Sequence, residues 1–463
     1  MKKLYSILLC VVIFAGVVLS LFGCTKKEKE PVVTTPLLRI GILSDIHINA
    51  DTRYSMYDRL EKALMFYKQK DVDGIIIAGD LQDKYDLASS VSAMEEFEDI
   101  WQRVFPGNIN DLTGEYVQPM FVYGNHDEAM VQAGYWFENM GSNYEDAWLH
   151  EIKGYQFVGV HYTKENDPQV QKKLEQAKDA SPDKPFFFIQ HVPMGGSIIG
   201  GTSGYDGNFI PKQDSILRSH NCVVFTGHTH IPITDERAIW QSTSKKQAQY
   251  TVVSCGTLHY SFLGDFSDLT INGDEHRTQQ GLYMVVDGSQ VTMERYSFTD
   301  MELDYVDGIA QINADEAKMI GMPWTFDAMD KKDRPYDYAN REANACVPVF
   351  PEGAILEASE LSATSAAITV PAASVDAPDG FSDVVQSYYA EITDTVTGEL
   401  VATVEVAAPY HIDTEPDHLN QPVTIYITDL APGTAYSVTV YARECYQKNS
   451  EPLFLEIQTL IGE

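Results

Sequence analysis

Leu38-Arg39-Ile40-Gly41-Ile42-Leu43-Ser44-Asp45-Ile46-His47 opens the folded part of the chain, and its pattern decides the architecture. A short apolar run ends in an acid and a histidine. The arrangement recurs along the next two hundred residues or so. Gly74-Ile75-Ile76-Ile77-Ala78 runs into Gly79-Asp80, and Pro119-Met120-Phe121-Val122-Tyr123 into Gly124-Asn125-His126-Asp127. Phe186-Phe187-Phe188-Ile189 runs into Gln190-His191, and Val223-Val224-Phe225 into Gly227-His228-Thr229-His230. Short apolar runs without alternation read as strands buried on both faces. Between them, residues 57–67 place Leu60, Leu64 and Tyr67 on one helical face, and a second helix is expected over 88–104. Phe157-Val158-Gly159-Val160 and Thr251-Val252-Val253 are further strands, and 282–286 with 291–296 flank Asp287-Gly288 as a hairpin. Alternating strands and helices define an α/β domain. Ionisable side chains at the ends of buried strands are costly unless paired. In open α/β sheets ligand sites lie beyond the carboxyl ends of the strands, so these residues are expected to converge on one site.

In order, the strand ends supply Asp45-x-His47, Gly79-Asp80, Gly124-Asn125-His126-Asp127, Gln190-His191 and Gly227-His228-x-His230. Each block alone is common; the ordered set resembles the calcineurin-like metallophosphoesterase superfamily over residues 37–300. The resemblance implies an α/β fold, a β-sheet sandwich flanked by helices, and a phosphoric ester hydrolase with a dinuclear metal centre. Carried over by position, Asp45, His47, Asp80 and His230 would hold the first ion. Asp80, Asn125, His191 and His228 would hold the second, with Asp80 bridging through its two oxygens. Imidazoles, carboxylates and an amide oxygen without thiolates suit two divalent or trivalent ions of manganese, iron or zinc. Such a pair clamps the attacking and leaving oxygens of an in-line displacement. The resemblance further implies a hydroxide shared between the ions as nucleophile, His126 assisting the leaving oxygen, and Asp127 holding the His126 imidazole in one tautomer. Asp83 reads either as a partner behind a ligand or as a solvated loop acid. No Tyr occupies the ligand position of the purple acid phosphatase branch, so no purple colour is expected. His47 is compatible with diesterase branches, which leans the reading to a phosphodiesterase, with a phosphomonoesterase as the alternative. A non-catalytic cell-surface binding protein on the same scaffold would be expected to have broken ligand motifs, yet every ligand position is filled.

The remaining histidines carry less. His161 follows a strand and reads as a satisfied core residue, His259 could line the cleft, and His150, His220, His276, His411 and His418 read as surface. The Gly-rich loop 195–207 lacks the Gly-Lys-Ser/Thr of a phosphate-cradling loop and reads as a rim or a plain surface loop.

At 463 residues the chain exceeds what one core usually serves. Composition shifts near Val347, and from Ala354 the chain is rich in Thr, Ser, Val and Ala with alternating runs. Leu430-Ala431-Pro432-Gly433-Thr434-Ala435-Tyr436 closely resembles the turn and strand of a fibronectin type III sandwich. An all-β immunoglobulin/fibronectin-like domain is expected over 347–463, with 301–346 as a packed connector. The module could serve a cell-surface partner.

Lys2 and Lys3 precede an apolar run over residues 4–21, and Leu21-Phe22-Gly23-Cys24 resembles a bacterial lipobox. Residues 1–24 are therefore expected to be a lipoprotein signal peptide, with Cys24 lipidated, the protein held at the membrane and its body extracytoplasmic. Residues 25–36 are charged and read as a flexible tether. The 33 Lys and Arg against 67 Asp and Glu leave a net charge of −34. That repels polyanions, so no long nucleic acid is expected and a small phosphoester fits better. Of six cysteines, Cys222, Cys255, Cys346 and Cys445 lie outside the signal, too dispersed for a thiolate zinc site. They read as free thiols by default, with a disulfide left open.

Overall fold

A computed structural model describes residues 37–462, apart from 49–52, 84–86, 130–146, 163–166, 199–210, 219–221, 244–249, 264–268, 272–278, 307–308, 376–383 and 413–420. The signal, Cys24 and the tether fall outside the described residues, as does most of the Gly-rich loop. Among the described residues no helix is long and apolar enough to cross a membrane.

In chain order the first strands are β1 (Leu38–Leu43), β2 (Gly74–Ala78), β3 (Gln118–Val122), β4 (Ala147–Ile152), β5 (Tyr155–Val160), β6 (Phe186–Ile189) and β7 (Cys222–Thr226). β8 (Ile239–Trp240), β9 (Thr251–Ser254), β10 (Ser261–Leu263), β11 (Leu269–Ile271), β12 (Gln280–Asp287) and β13 (Gln290–Ser297) follow. Among the described residues, four α-helices accompany them: α1 (Arg53–Gln69), α2 (Leu87–Val104), α3 (Pro168–Ala180) and α4 (Pro211–Arg218).

The strands divide between two sheets. In the first, β1, β2 and β3 run parallel, and β12 and β13 extend it antiparallel from the β1 edge. In the second, β5, β6, β7 and β9 run parallel between antiparallel edges β4 and β8. Each central strand is buried on both faces, which is why its sequence shows no alternation. Ile40, Ile42, Ile76 and Val122 meet Phe157, Phe187, Ile189 and Phe225 between the sheets. On the far face of the first sheet, Ile75, Ile77 and Phe121 pack on Leu60 and Leu64 of α1 and on Phe97 and Trp101 of α2. On the far face of the second, Phe186, Phe188 and Val224 pack on Val170, Leu174 and Ala177 of α3. The result is helix, sheet, sheet, helix. Each fully buried side chain of this size contributes about 1.5–3 kcal/mol.

The expected connector does more than connect. Lys318–Met319 and Trp324–Asp327 pair with β13 and complete the first sheet at seven strands. The C-terminal part is all β, with one three-stranded sheet (Glu357–Ser359, Ala366–Val370, Val423–Ile427) and one four-stranded sheet (Leu400–Ala407, Ser387–Asp394, Ala435–Arg443, Leu453–Gln458). Ile368, Ile425, Ala390, Val438 and Val440 fill the core they share. Tyr436 is buried and its hydroxyl accepts from the Ala431 N–H at 2.9 Å, the corner expected of a fibronectin-like sandwich.

Residues from Leu37 onward form one compact unit, so this sandwich is fixed to the α/β part. Asp235, Glu236 and Arg237 lie in a short 3₁₀ turn after the fifth motif. Arg237 pairs with Asp235 at 2.8 Å, and Gln386 of the sandwich donates to the same carboxylate at 3.2 Å. Glu236 bridges Arg295 at 3.0 Å and Arg341 at 3.1 Å. His411, read from sequence as surface, is buried with its Nδ1 at 2.9 Å from Thr234 Oγ1. Leu263 of β10 packs with Ala407 and Ile412 of the sandwich. All four cysteines outside the signal are free thiols.

Candidate metal centre

Adjacent strands end level, with Leu43 beside Ile77, Ala78 beside Val122 and Ile189 beside Phe225. The loops that follow therefore emerge at one edge, Asp45, Asp80 and Asn125 from the first sheet and His191 and His228 from the second. The loops are laced together by backbone: Asp45 N–H donates to Gly79 O at 3.1 Å and His47 N–H to Asp80 O at 3.0 Å. In an extended chain the outer side chains of Asp45-x-His47 would project the same way. Instead both lie in the left-handed region (φ 51° and 52°), as do Asp80, His228 and His230 (φ 51°, 70° and 51°). None is a glycine, so each is backbone strain held at a functional site, of order 1–3 kcal/mol apiece. Gly227 precedes this turn for steric reasons, because a Cβ there would collide with Ser44 Oγ and Asp45 Oδ2.

Among the described residues the donors fall into three groups, of which two overlap at Asp80 as cages and the third joins His47 to Asp83 and His126. Asp45, His47, Asp80 and His230 make the first cage, and Asp80, His191 and His228 the second. In the first, His47 Nε2 lies 2.9 Å from His230 Nε2, and Asp45 Oδ1 lies 3.3 Å from His230 Nε2. In the second, His191 Nε2 lies 3.1 Å from Asp80 Oδ2 and 3.0 Å from Asn125 Oδ1, with His228 Nδ1 2.8 Å from that oxygen. The seven residues expected to be ligands are thus brought together, and Asp80 belongs to both cages.

Whether cations fit can be judged from hydrogen-bond inventory. His191 Nδ1 sits 2.8 Å from the Ala78 carbonyl and His230 Nδ1 2.9 Å from the Tyr260 carbonyl. A carbonyl only accepts, so each Nδ1 carries the proton and each Nε2 turns a lone pair into the cage. Two carboxylates, an amide oxygen and the Nε2 atoms of these rings, when neutral, converge as lone pairs. Cations satisfy that arrangement, and the nitrogen-and-oxygen set suits manganese, iron or zinc.

The electrostatics agree. Burial would raise Asp45, yet the His230 imidazole holds its carboxyl well below the ordinary carboxylate value. Burial opposes Asp80 likewise, and His191 brings it down to about 2. Burial would lower His191, and Asp80 overrides it, pushing the imidazole up to about 9. His228 is lowered to about 4 by burial and by His191. Both carboxylates favour their ionised form and draw a positive charge onto His191, so the cage attracts cations.

His126 stands beside the cages without joining the seven. Its backbone N–H donates to Asp80 Oδ1 at 2.9 Å, and its ring lies 4.8 Å from that of His47. Its Nδ1 is 2.6 Å from Asp83 Oδ1. Asp83 therefore fills the place assigned above to Asp127. Asp127 is buried and accepts instead from the backbone N–H groups of Leu81 (3.2 Å), Gln82 (3.1 Å) and Gly124 (2.8 Å). It ties the second motif loop to the third. Burial and the Asp80 carboxylate push Asp127 up to about 7. His161 is a core residue, its Nδ1 accepting from the Tyr123 N–H at 2.9 Å. His259 does reach the site, with its ring 5.7 Å from that of His47. Tyr260 escaped the sequence reading, because its part is played by a carbonyl and by its ring, 4.3 Å from His230.

Residues 38–232 match the family model for calcineurin-like phosphoesterases. They form a calcineurin-like phosphoesterase domain. The domain is thus that of a metal-dependent phosphoesterase, and both cages lie within it. No curated protein matches the chain. Among solved structures, a dimetal phosphatase from Danio rerio is similar at 11% identity and TM-score 0.39, over 56% of this chain and 95% of that one. The structure of PhoD is similar at 11% identity and TM-score 0.40, over 65% of this chain and 72% of that one. The FN5 domain of Drosophila Lar is similar at 17% identity and TM-score 0.16, over 26% of this chain and 99% of that one.

Proposed function

We propose that this chain is an exported, lipid-anchored hydrolase of small phosphoesters that works with two metal ions and prefers diesters. The observation that carries the reading is the pair of overlapping donor cages sharing Asp80. Asp45, His47, Asp80 and His230 would hold one ion, and Asp80, Asn125, His191 and His228 the other. When bound, such a pair supplies an activated water and offsets charge on the phosphoryl oxygens.

The rest is done by the chain's own residues. His126 donates a proton to the leaving oxygen, since it borders the cages yet keeps its imidazole out of them. The Asp83 carboxylate accepts from Nδ1 and favours the doubly protonated ring, so that Nε2 carries the proton given to the leaving oxygen. Asp127 keeps the loop bearing Asn125 and His126 against the loop bearing Asp80. The Leu21-Phe22-Gly23-Cys24 motif supports anchoring through Cys24 outside the cytoplasm. The acidic surface supports small substrates over long nucleic acids.

The test is direct. The mature protein is purified, its metal content measured, and an aryl phosphomonoester compared with the matching diester. Two ions per chain and a higher kcat/KM on the diester are expected. Fewer than two ions and no turnover of either ester with manganese added would remove the reading. A monoester preference would remove only its diester part.

A further inference from the structure

The turn Thr257-Leu258-His259-Tyr260 crosses the first cage from outside the five motifs. Its position is set by backbone and by neighbours of the ligands. Thr257 Oγ1 donates to the Asp45 carbonyl at 3.0 Å, and the His259 N–H donates to Thr257 Oγ1 at 3.0 Å. Arg59 is buried and donates to the Leu258 carbonyl at 3.0 Å. The Tyr260 carbonyl accepts from ligand His230. These bonds hold the turn through main-chain atoms and the Thr257 hydroxyl, so none of them requires an imidazole at position 259.

Burial separates the cage from its mouth. Asp45, His47, Asp80, His191 and His230 are buried, whereas Asn125, His126, His228, His259 and Tyr260 are half-buried. Of these half-buried side chains, Asn125 and His228 are assigned to metal. His126 is assigned to the leaving oxygen. A phosphoryl group carries more oxygens than two ions and one acid engage, and the others need N–H or O–H donors. Arg59 does not serve, because its guanidinium is turned to the turn's own carbonyls. His259 lies beside His47 and offers a donor at the mouth, with its ring 4.9 Å from that of Tyr260.

We propose that His259 is a substrate-contacting residue of this site, its imidazole donating a hydrogen bond to a phosphoryl oxygen of the bound ester. The inference rests on the phosphoesterase reading above and adds a residue to it. His259 acts on binding rather than on metal retention, since it is not among the donors of either cage.

The experiment uses the mature protein loaded with metal and its His259→Ala and His259→Gln variants. Metal content is measured, inorganic phosphate binding is followed by calorimetry, and kcat and KM are determined on both aryl esters. His259→Ala is expected to keep two ions and to weaken phosphate binding about ten- to hundredfold, the worth of a hydrogen bond to a charged group. KM rises in step, and His259→Gln, which keeps a donor, recovers part of the loss. Phosphate affinity and kcat/KM within about twofold of the parent would overturn the assignment, and so would loss of metal in parallel with loss of binding. If the parent binds metal and phosphate but turns over neither ester, the hydrolase reading fails while the phosphate arm still decides the role of His259.

Discussion

Truncating His126 to alanine separates chemistry from metal binding more sharply than any other change. The side chain is about a quarter exposed and meets Asp83 and the edge of His47, while the backbone N–H donates to Asp80. Alanine keeps that N–H, so both ions should stay and stability should change by less than about 1 kcal/mol. What disappears is proton donation to the leaving oxygen. General acid catalysis is typically worth about 10²–10⁴-fold, roughly 3–5 kcal/mol of barrier. The loss should fall on kcat and grow with the basicity of the leaving group, mild for an aryl ester and severe for an alkyl ester. Asp83→Ala should lose less, about tenfold, because it positions the acid without replacing it. In the His126→Ala background it should lose nothing further, since the two act as a unit. The assay is steady-state turnover of aryl and alkyl esters beside elemental analysis of each variant. Turnover within twofold of the parent, or a loss equal for both leaving groups, would refute the role given to His126.

Three other outcomes follow from the geometry. Gly227→Ala should cost metal occupancy and about 1–3 kcal/mol, because its methyl must displace Ser44 or Asp45; retention of both ions in elemental analysis would contradict this. Glu236→Ala should destabilise by about 3–5 kcal/mol in denaturant titration, since Arg295 and Arg341 lose their shared buried carboxylate. Asp235 sets an acid limit: burial would raise its carboxyl, but Arg237 holds it below the ordinary value. A depressed folded-state pKa means that its stabilisation is present above the unfolded value of about 3.9 and is lost as pH falls through the folded one. Asp235→Asn should therefore be less stable than the parent at pH 7 and approach it as pH drops below about 4, and a gap that stays constant across that range would be contrary.

The strands, α1, α2 and the seven donors were legible because apolar runs ending in polar residues admit few other readings. The division of those strands between two sheets was not, since a strand buried on both faces carries no mark of which sheet it joins. The backbone at Asp45 and His47 was hidden too, because neither residue type advertises a left-handed turn. Adjacency misled at Asp127: it follows His126 in the chain, but the partner of that imidazole is Asp83, which reaches across from the second motif loop. His411 looked like surface because its partner, Thr234, belongs to the other part of the molecule. Backbone carbonyls such as those of Ala78 and Tyr260 orient ligands without leaving any trace in residue identity.

Leu263 packing against Ala407 and Ile412 has a consequence for how such a chain can evolve. The strand it sits in begins directly after Tyr260, so the sandwich leans on the same stretch of chain that walls the first cage. A module strung on as a separate bead can be traded for another without touching catalysis. This one cannot, because exchanging it would unseat the wall beside His230. Residues 347–463 and the turn at 257–263 are thus expected to diverge together, and a descendant that sheds the sandwich must rebuild the rim of its active site.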